Sequence, residues 1–350
     1  MPDLPVPRLI VRTREIDPVE DLLEYTSPSH PLAWLRRGDG IVGLDPVHEI
    51  HAGAGMHAAW MSERWSAVSA SAEVDDDVRL PGTGLVAFGA LAFDPLSPCG
   101  SRLDVPSVVI GRRGGRSWLT TIGHEDALPP RAPEAIGYGP YWSGTLGPGS
   151  LTPHGYQSAV RDALAAIARG DVGKVVLARD LRGTVPAGSD LRRLARALST
   201  GYPDTWTYAV DGLIGASPET LVTVHGGTVT ARVLAGTTPR GADADADTAA
   251  STALATSAKD LDEHQYAVQS VLAALRPHTR ALAASEEPFT LKLPNVWHLA
   301  TDVEGELGSA DSALDLVGAL HPTAAVAGTP TDAALAAIRR LEPFDRGRYA

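Results

Sequence analysis

Residues 174–179 have the sequence Lys-Val-Val-Leu-Ala-Arg, a short aliphatic run that begins with a lysine. Just before it, Val160, Leu164 and Ile167 recur at the spacing of one face of a helix. We therefore predict an amphipathic helix over 156–169 that leads directly into a strand at Lys174.

Two pairs of strand-like runs flank double glycines. Residues 108–110 and 118–122 lie on either side of Gly114-Gly115, and residues 221–224 and 228–233 lie on either side of Gly226-Gly227. Adjacent glycines supply the positive φ angles that a tight hairpin turn requires. Both pairs are therefore predicted hairpins.

Three further helices are predicted after the second hairpin. One long helix is expected from about 249 to 275, capped by Asp247 or Thr248, and the others over 312–320 and 331–341. Hairpins interspersed with helices predict an α+β fold with large, mostly antiparallel sheets and helices packed outside them.

A stretch rich in glycine and proline, 137–153, lacks periodicity and is predicted to be a linker or long loop. It separates a strand-rich N-terminal scaffold, residues 1–150, from residues 151–350. A chain of 350 residues is long enough to form a core in each region.

The composition argues against several classes of protein. A hydrophobic fraction of 44% predicts a globular chain, and a net charge of −12 leaves no basic face for nucleic acid. Cys99 is the single cysteine, so no internal disulfide is expected. The N-terminus lacks the apolar core of a signal peptide, and no apolar run is long enough to span a bilayer. We predict a soluble cytoplasmic protein.

Six short motifs follow one another along the second half of the chain. They are Lys-Val-Val-Leu-Ala-Arg at 174–179, Gly-Ala-Ser-Pro-Glu at 215–219, Leu-Ala-Gly-Thr at 234–237, Ser-Ala-Lys at 257–259 with Glu-His at 263–264, Trp-His-Leu at 297–299, and His-Pro-Thr at 321–323. In this order they resemble the chorismate-binding enzymes, and among them the isochorismate synthases. The resemblance covers 157–350 and implies the fold of anthranilate synthase component I. The N-terminal segments Pro-Gly-Thr-Gly at 81–84 and Gly-Arg-Arg-Gly at 111–114 resemble isochorismate synthases of the actinobacterial type.

The resemblance also implies a segment beyond residue 350. In the resembled enzymes that segment adds the last strands of the sheet, an arginine for a substrate carboxylate and a second metal-binding glutamate. We therefore expect the catalytic region, 151–350, to be incomplete at its C-terminus. Whether the 350-residue chain is active is left open.

Lys174 and Glu219 are the candidate proton carriers. If the substrate is chorismate, a ring dianion, addition of water at one carbon and loss of a hydroxyl from another need a base and an acid. The resemblance assigns the base to Lys174, because the enzymes that use ammonia typically carry glutamine there, and the acid to Glu219. These roles require a lysine pKa below about 10.4 and a glutamate pKa above about 4.3. The alternatives are a solvent-facing lysine and a glutamate in an ordinary turn.

Substrate contacts are expected at five positions. Ala235 replaces the nucleophilic lysine of the resembled aminodeoxychorismate synthases, so no covalent adduct is expected. The resemblance implies that Gly236 and Thr237 offer backbone amides and a hydroxyl, that His298 donates or accepts a hydrogen bond, and that Ala325 borders the substrate. A plain turn at Gly236 and a core role for His298 are the structural alternatives.

Glu263 is the expected ligand of Mg²⁺. A dianionic substrate in a protein of net charge −12 needs local positive charge, which a hard divalent cation supplies. The resemblance places this metal on Glu263. The alternative is an exposed ion pair with Lys259, one turn earlier on the same helix.

These expectations describe a Mg²⁺-dependent isochorismate synthase, an isomerase that acts on chorismate and binds neither nucleic acid nor membranes. A monomer is expected, and the pathway is menaquinone or siderophore synthesis. One alternative is a salicylate synthase, which would go on to eliminate pyruvate. Another is a catalytically inactive homologue that binds chorismate-like ligands or a partner chain.

Overall fold

The structure is a computed structural model that describes residues 6–56, 58–128, 130–308 and 311–349. Residues 1–5 and Ala350 lie outside the described residues. The prediction of no signal peptide refers to residues 1–5. Within the described ranges, no helix is both long and apolar enough to cross a membrane.

The described residues form eighteen strands and seven α-helices. The strands are β1 (Leu9–Ile16), β2 (Leu32–Arg36), β3 (Asp39–Ala52), β4 (Glu73–Asp76), β5 (Phe88–Ala90), β6 (Ser101–Arg113), β7 (Arg116–His124), β8 (Thr145–Pro148), β9 (Lys174–Val175), β10 (Leu181–Thr184), β11 (Trp206–Val210), β12 (Leu213–Ser217), β13 (Thr223–His225), β14 (Thr228–Pro239), β15 (Thr279–Ala284), β16 (Phe289–Lys292), β17 (Val296–Leu307) and β18 (Gly328–Thr329). The helices are α1 (Ala58–Ser71), α2 (Pro153–Ala168), α3 (Arg192–Gly201), α4 (Ala244–Thr256), α5 (Ala258–Leu275), α6 (Ala313–Leu320) and α7 (Thr331–Leu341).

The chain divides into two compact units. The first unit comprises Met1–Thr145, Thr184–Pro218 and Gly347–Tyr349. Its sheet has nine described strands in the order β12-β11-β2-β3-β6-β7-β1-β4, with β5 on β6. The β1–β4 pair is parallel and the other pairs are antiparallel. Because β11 pairs with β2, the segment Thr184–Pro218 belongs to this unit, although the sequence places it after the expected boundary near residue 150.

The second unit comprises Leu146–Gly183 and Glu219–Arg346. Its main sheet is antiparallel, in the order β13-β14-β17-β15 with β16 on β17. Helices α5 and α6 pack on this sheet and bury a core with it. The buried members of that core are Val229, Ala231, Val233, Ala267, Val268, Val271, Leu275, Val303, Leu316 and Leu320. The α+β class with mostly antiparallel sheets is confirmed.

Both predicted hairpins are confirmed, as β6–β7 and β13–β14. Gly114 and Gly115 have φ angles of 57° and 83°, and Gly226 and Gly227 have φ angles of 56° and 84°. Two consecutive residues in the left-handed region match the twist of the flanking strands, which explains why glycine stands at all four positions.

The stretch 137–153, predicted to be a loop, is interrupted by the short strand β8, and its first part is not a free linker. The fully buried Arg192 side chain donates to the carbonyl oxygen of Gly137 at 3.0 Å. The carboxylate of Asp190 accepts from the backbone N–H of Gly139 at 2.9 Å. A buried charged pair thus anchors the loop to the first unit, and β8 follows it.

The single long helix predicted over 249–275 is wrong. Two helices, α4 and α5, meet at Ser257, whose side chain caps the start of α5. The start of α4 is capped by Asp243, not by Asp247 or Thr248. Serine and aspartate are favoured at this position because a side-chain oxygen satisfies the free N–H groups of the first turn. The helices predicted over 156–169, 312–320 and 331–341 are confirmed as α2, α6 and α7.

Candidate active site

Lys174 is the first residue of a two-residue strand, β9, which is shorter than expected. It lies opposite Thr329 of β18, and Val175 lies opposite Gly328. Gly328 has a φ angle of 138°, and a Cβ there would lie 2.0 Å from the backbone oxygen of Lys174. Only glycine permits this close backbone approach, which fixes the position of the Lys174 backbone.

The Lys174 side chain pairs with Glu263 of α5. The ammonium Nζ lies 3.2 Å from Glu263 Oε1, and the two side chains are 28% and 41% exposed. Lys174 is therefore turned toward α5 within the second unit and is only partly exposed. Glu263 takes this partner from across the fold in place of Lys259 on its own helix. The candidate base and the candidate metal ligand are thus in contact.

Glu219 lies against β14. Burial raises the pKa of the Glu219 carboxyl to about 7, and a hydrogen bond with the backbone of Leu234 opposes that rise in part. A carboxyl with a pKa near neutrality is still protonated in a large fraction of molecules at pH 7. Glu219 therefore has the property that a general acid requires.

Gly236 forms a β-bulge in β14. Ala235 lies opposite Leu299 and Thr237 opposite His298, which leaves Gly236 without a cross-strand partner. Its φ angle is 78°, and a Cβ there would meet the Leu299 side chain at 3.2 Å. A bulge of this kind re-aims the residues beside it.

The bulge brings Thr237 and His298 together. Thr237 Oγ1 lies 2.8 Å from His298 Nδ1, and the backbone of Gly236 also hydrogen-bonds to His298. Burial lowers the pKa of His298, so the ring is neutral at pH 7. A neutral ring suits hydrogen bonding to a substrate better than it suits a cationic role.

His264 supports the site and was not assigned a role from the sequence. It is 2% exposed, its Nδ1 lies 3.1 Å from the carbonyl oxygen of Ala235, and its Nε2 lies 2.7 Å from Thr301 Oγ1. Burial lowers the pKa of His264, so the neutral ring donates from Nδ1 to the carbonyl and accepts the hydroxyl proton at Nε2. These bonds tie α5, at the residue next to Glu263, to β14 and β17.

A second supporting group surrounds Trp297. Arg240 donates to both carboxylate oxygens of Asp247 at 2.5 and 2.6 Å, and Trp297 Nε1 donates to the same carboxylate at 2.9 Å. The Arg240 guanidinium also stacks on the Trp297 ring at 5.2 Å. The network fixes Trp297, the residue before His298. Its members are far apart in the chain, so no short sequence motif predicts it.

Ala325 lies in the turn that precedes β18. The backbone N–H of Ala327 donates to the carbonyl oxygen of Thr323 at 2.9 Å, which closes the turn around Ala325. The carbonyl of Ala327 in turn accepts from the N–H of Val176 at 2.9 Å. The turn is therefore attached to the segment that carries Lys174.

The segment 234–237 of β14 connects the predicted residues. Glu219 hydrogen-bonds to Leu234, His264 to Ala235, and His298 to Gly236 and Thr237.

Among the described residues, no group of three or more histidine, cysteine or acidic side chains is placed to hold a metal. The carboxylate of Glu263 is a hard oxygen ligand of the kind that Mg²⁺ binds, and Mg²⁺ can take its other ligands from water and substrate.

The region that holds this candidate site matches a known family. The family described as chorismate binding enzyme matches residues 146–350. Isochorismate synthase DhbC of Bacillus subtilis is 42% identical over 209 residues, which are 56% of this chain and 52% of that protein. A MenF protein of Mycobacterium tuberculosis is 38% identical over 285 residues, 77% of this chain and 70% of its own length. The chain thus spans about half the length of the first relative and more of the second.

The fold agrees as well. The crystal structure of DhbC from Bacillus anthracis superposes with a TM-score of 0.75 at 30% identity, covering 94% of this chain and 82% of that one. The motifs, the fold and the matched region lead to one conclusion: the chain belongs to the chorismate-binding enzymes and is a homologue of isochorismate synthases.

Proposed function

We propose that the protein is an isochorismate synthase that converts chorismate to isochorismate by adding water and expelling a hydroxyl. The observation that carries the proposal is the placement of Lys174, a partly buried lysine whose backbone is fixed by strand pairing and whose Nζ lies 3.2 Å from the candidate metal ligand Glu263. A lysine in this place suits activation of water, whereas glutamine is typical of the ammonia-using members of the resembled family.

The proton transfers follow from the two candidate residues. Lys174, in its neutral form, takes a proton from water as the oxygen attacks the ring. Glu219 gives its proton to the departing hydroxyl, which leaves as water, and so ends as a carboxylate. One water enters and one leaves, so the product is an isomer of the substrate. The pKa of Glu219, raised to about 7 by burial, supports its part in this step.

The remaining residues bind and orient the substrate. Gly236 and Thr237 offer backbone groups and a hydroxyl at the bulge, and neutral His298 offers a ring nitrogen. Ala235 carries no nucleophile, so no covalent intermediate with the enzyme is formed at this position. Ala325 borders the site from the turn attached to the Lys174 segment.

A bound Mg²⁺ would neutralise substrate carboxylate charge in a protein of net charge −12. Glu263 would hold it, and water and substrate oxygens would complete its ligands. The proposal includes a monomeric, cytoplasmic protein that serves menaquinone or siderophore synthesis.

Product analysis tests the proposed reaction. The purified protein is incubated with chorismate and Mg²⁺, and the products are separated by chromatography. Isochorismate as the single product is expected. Salicylate with pyruvate would replace the proposal with a salicylate synthase, and unchanged chorismate with folded protein would favour an inactive binding homologue.

A further inference from the structure

We propose that a buried ion pair between Glu342 and Arg346 is a positioning device that holds the Lys174 segment for catalysis. The two side chains are 1% and 3% exposed. Arg346 donates through Nε to Glu342 Oε2 at 2.8 Å and through Nη2 to Oε1 at 2.6 Å. The inference rests on the proposed function, because Lys174 is its target.

The pair also bonds to the backbone just beyond Lys174. Arg346 Nη2 donates to the carbonyl oxygen of Val176 at 2.7 Å, and Glu342 Oε1 accepts from the N–H of Ala178 at 2.7 Å. These are groups that a neighbouring strand would otherwise bond. The β9–β18 pairing is only two residues long, so the ion pair takes over where strand pairing ends.

The same guanidinium reaches the turn that carries Ala325. Arg346 Nη1 donates to the carbonyl oxygen of Val326 at 3.1 Å. One planar group thus bonds to the segment after Lys174, to the turn beside Ala325 and to Glu342. A lysine at 346 has a single ammonium and lacks the fork needed to reach all three.

Breaking a buried ion pair can unfold a protein, so the test uses conservative variants. In Arg346→Lys and Glu342→Gln, kcat is expected to fall about 10- to 100-fold, as for a catalytic group displaced by about 1 Å. KM is expected to change by less than about threefold, because the substrate contacts at Gly236, Thr237 and His298 do not depend on this ion pair. The rates are referred to the folded fraction measured by circular dichroism.

Arg192→Lys is the matched control. Arg192 is equally buried, is paired with Asp190 at 2.7 Å and donates to a backbone carbonyl, but it belongs to the first unit. This variant is expected to lower thermal stability and to keep the wild-type kcat. An equal loss of kcat in Arg192→Lys and Arg346→Lys would overturn the inference.

A double-mutant cycle separates positioning from general damage. If Arg346 acts through Lys174, Arg346→Lys has no further effect on the residual rate of Lys174→Gln. A fold-loss of the same size in both backgrounds would overturn the inference.

Amide hydrogen exchange gives a readout that does not depend on turnover. The Ala178 N–H is expected to exchange slowly in the wild-type protein and at least about tenfold faster in Glu342→Gln, with Leu275 in α5 unchanged. If the wild-type protein makes no isochorismate, the proposed function fails. The exchange rate of the Ala178 N–H then still tests whether the Glu342–Arg346 ion pair holds the Lys174 segment. Fast exchange at Ala178 in the wild-type protein would overturn the inference in either case.

Discussion

Lys174 owes its proposed role to its surroundings. Strand pairing with β18 fixes its backbone, and its Nζ lies 3.2 Å from Glu263 Oε1. Residues 174–179 taken by themselves favour a lysine at an exposed strand end, because nothing in them shows what faces the side chain; only the set of motifs points to a base. The glutamate that faces it lies far along the chain, on α5.

Replacement of Lys174 by glutamine tests the base. Glutamine keeps much of the side-chain length but cannot take a proton from water, so isochorismate formation is expected to fall about 10²- to 10⁴-fold. The measurement is the rate of chorismate conversion by chromatography. Lys259→Gln, which changes an exposed lysine of α5, should leave the rate unchanged. Similar rates in wild-type protein and Lys174→Gln would contradict the assignment.

Replacement of Glu219 by glutamine tests the acid through pH. Between pH 4.5 and 7 the folded protein retains a proton on Glu219 that the unfolded chain has released, so this group's contribution to stability falls as the pH rises to about 7. Glu219→Gln removes that loss and is expected to be more stable than wild-type protein at pH 8 by about 1–3 kcal/mol, with no difference near pH 4. Denaturant unfolding at both pH values measures this.

The same variant should lose activity, because an amide cannot protonate the leaving hydroxyl. The wild-type rate is expected to decline above pH 7 as Glu219 ionises. Glu304→Gln, at an exposed position of β17, serves as the control and should alter neither stability nor rate. A Glu219→Gln variant that is active and shows no gain in stability at pH 8 would contradict both the raised pKa and the role.

At the scale of elements, the bulge in β14 organises the substrate side of the site. Gly236 occupies the left-handed region with a φ angle of 78°, and the Leu299 side chain leaves little room for a Cβ. The order of the motifs predicts that Gly236 and Thr237 contact the substrate. The bulge itself follows from pairing with β17, which local sequence does not show.

Gly236→Ala tests the bulge. An alanine in the left-handed region costs about 1 kcal/mol or more, and the added Cβ presses on Leu299. The variant is expected to melt a few degrees lower and to raise KM for chorismate, because Thr237 and His298 shift together. Gly227→Ala, in the β13–β14 turn with open space around it, should lose stability without a change in KM. Unchanged KM in Gly236→Ala would contradict the substrate role.

In helix α5, the sequence pattern predicts the buried face but not the start of the helix. Positions 264, 267, 268, 271 and 275 have helical spacing, and all are buried on one face. That spacing places His264 in the core and could have revealed its structural role beforehand. The break at Ser257 was missed because the apolar and small residues continue through it, and only the cap of Ser257 marks the new start.

At the scale of the whole molecule, strand pairing between distant segments determines which unit each segment joins, and local sequence patterns do not reveal that pairing. The segment Thr184–Pro218 joins the first unit through the pairing of β11 with β2, some 170 residues apart. The motif at 215–219 therefore crosses the division, with Glu219 in the second unit. The buried ion pairs of Arg192 and Arg346 could not be predicted from the sequence either, because charged residues are usually exposed.

Ligand binding should stabilise the folded protein. With Mg²⁺ and chorismate present at about 100 times their dissociation constants, linkage adds about 2.7 kcal/mol for each bound ligand and raises the melting temperature by several degrees. Calorimetry with and without EDTA measures this. Glu263→Gln should lose the part that depends on Mg²⁺, whereas Glu287→Gln, at an exposed site, should keep it. Equal Mg²⁺ stabilisation in both variants would remove Glu263 from the metal site.

The central claim is that Lys174 activates a water molecule whose oxygen enters the product. Turnover of chorismate with Mg²⁺ in water enriched in ¹⁸O, followed by mass spectrometry of the isochorismate, tests it most directly. The account predicts one ¹⁸O atom in the product of the wild-type protein and labelled product from Lys174→Gln at a rate about 10²- to 10⁴-fold lower. Unlabelled isochorismate would show that the hydroxyl migrates without solvent water and would contradict the account.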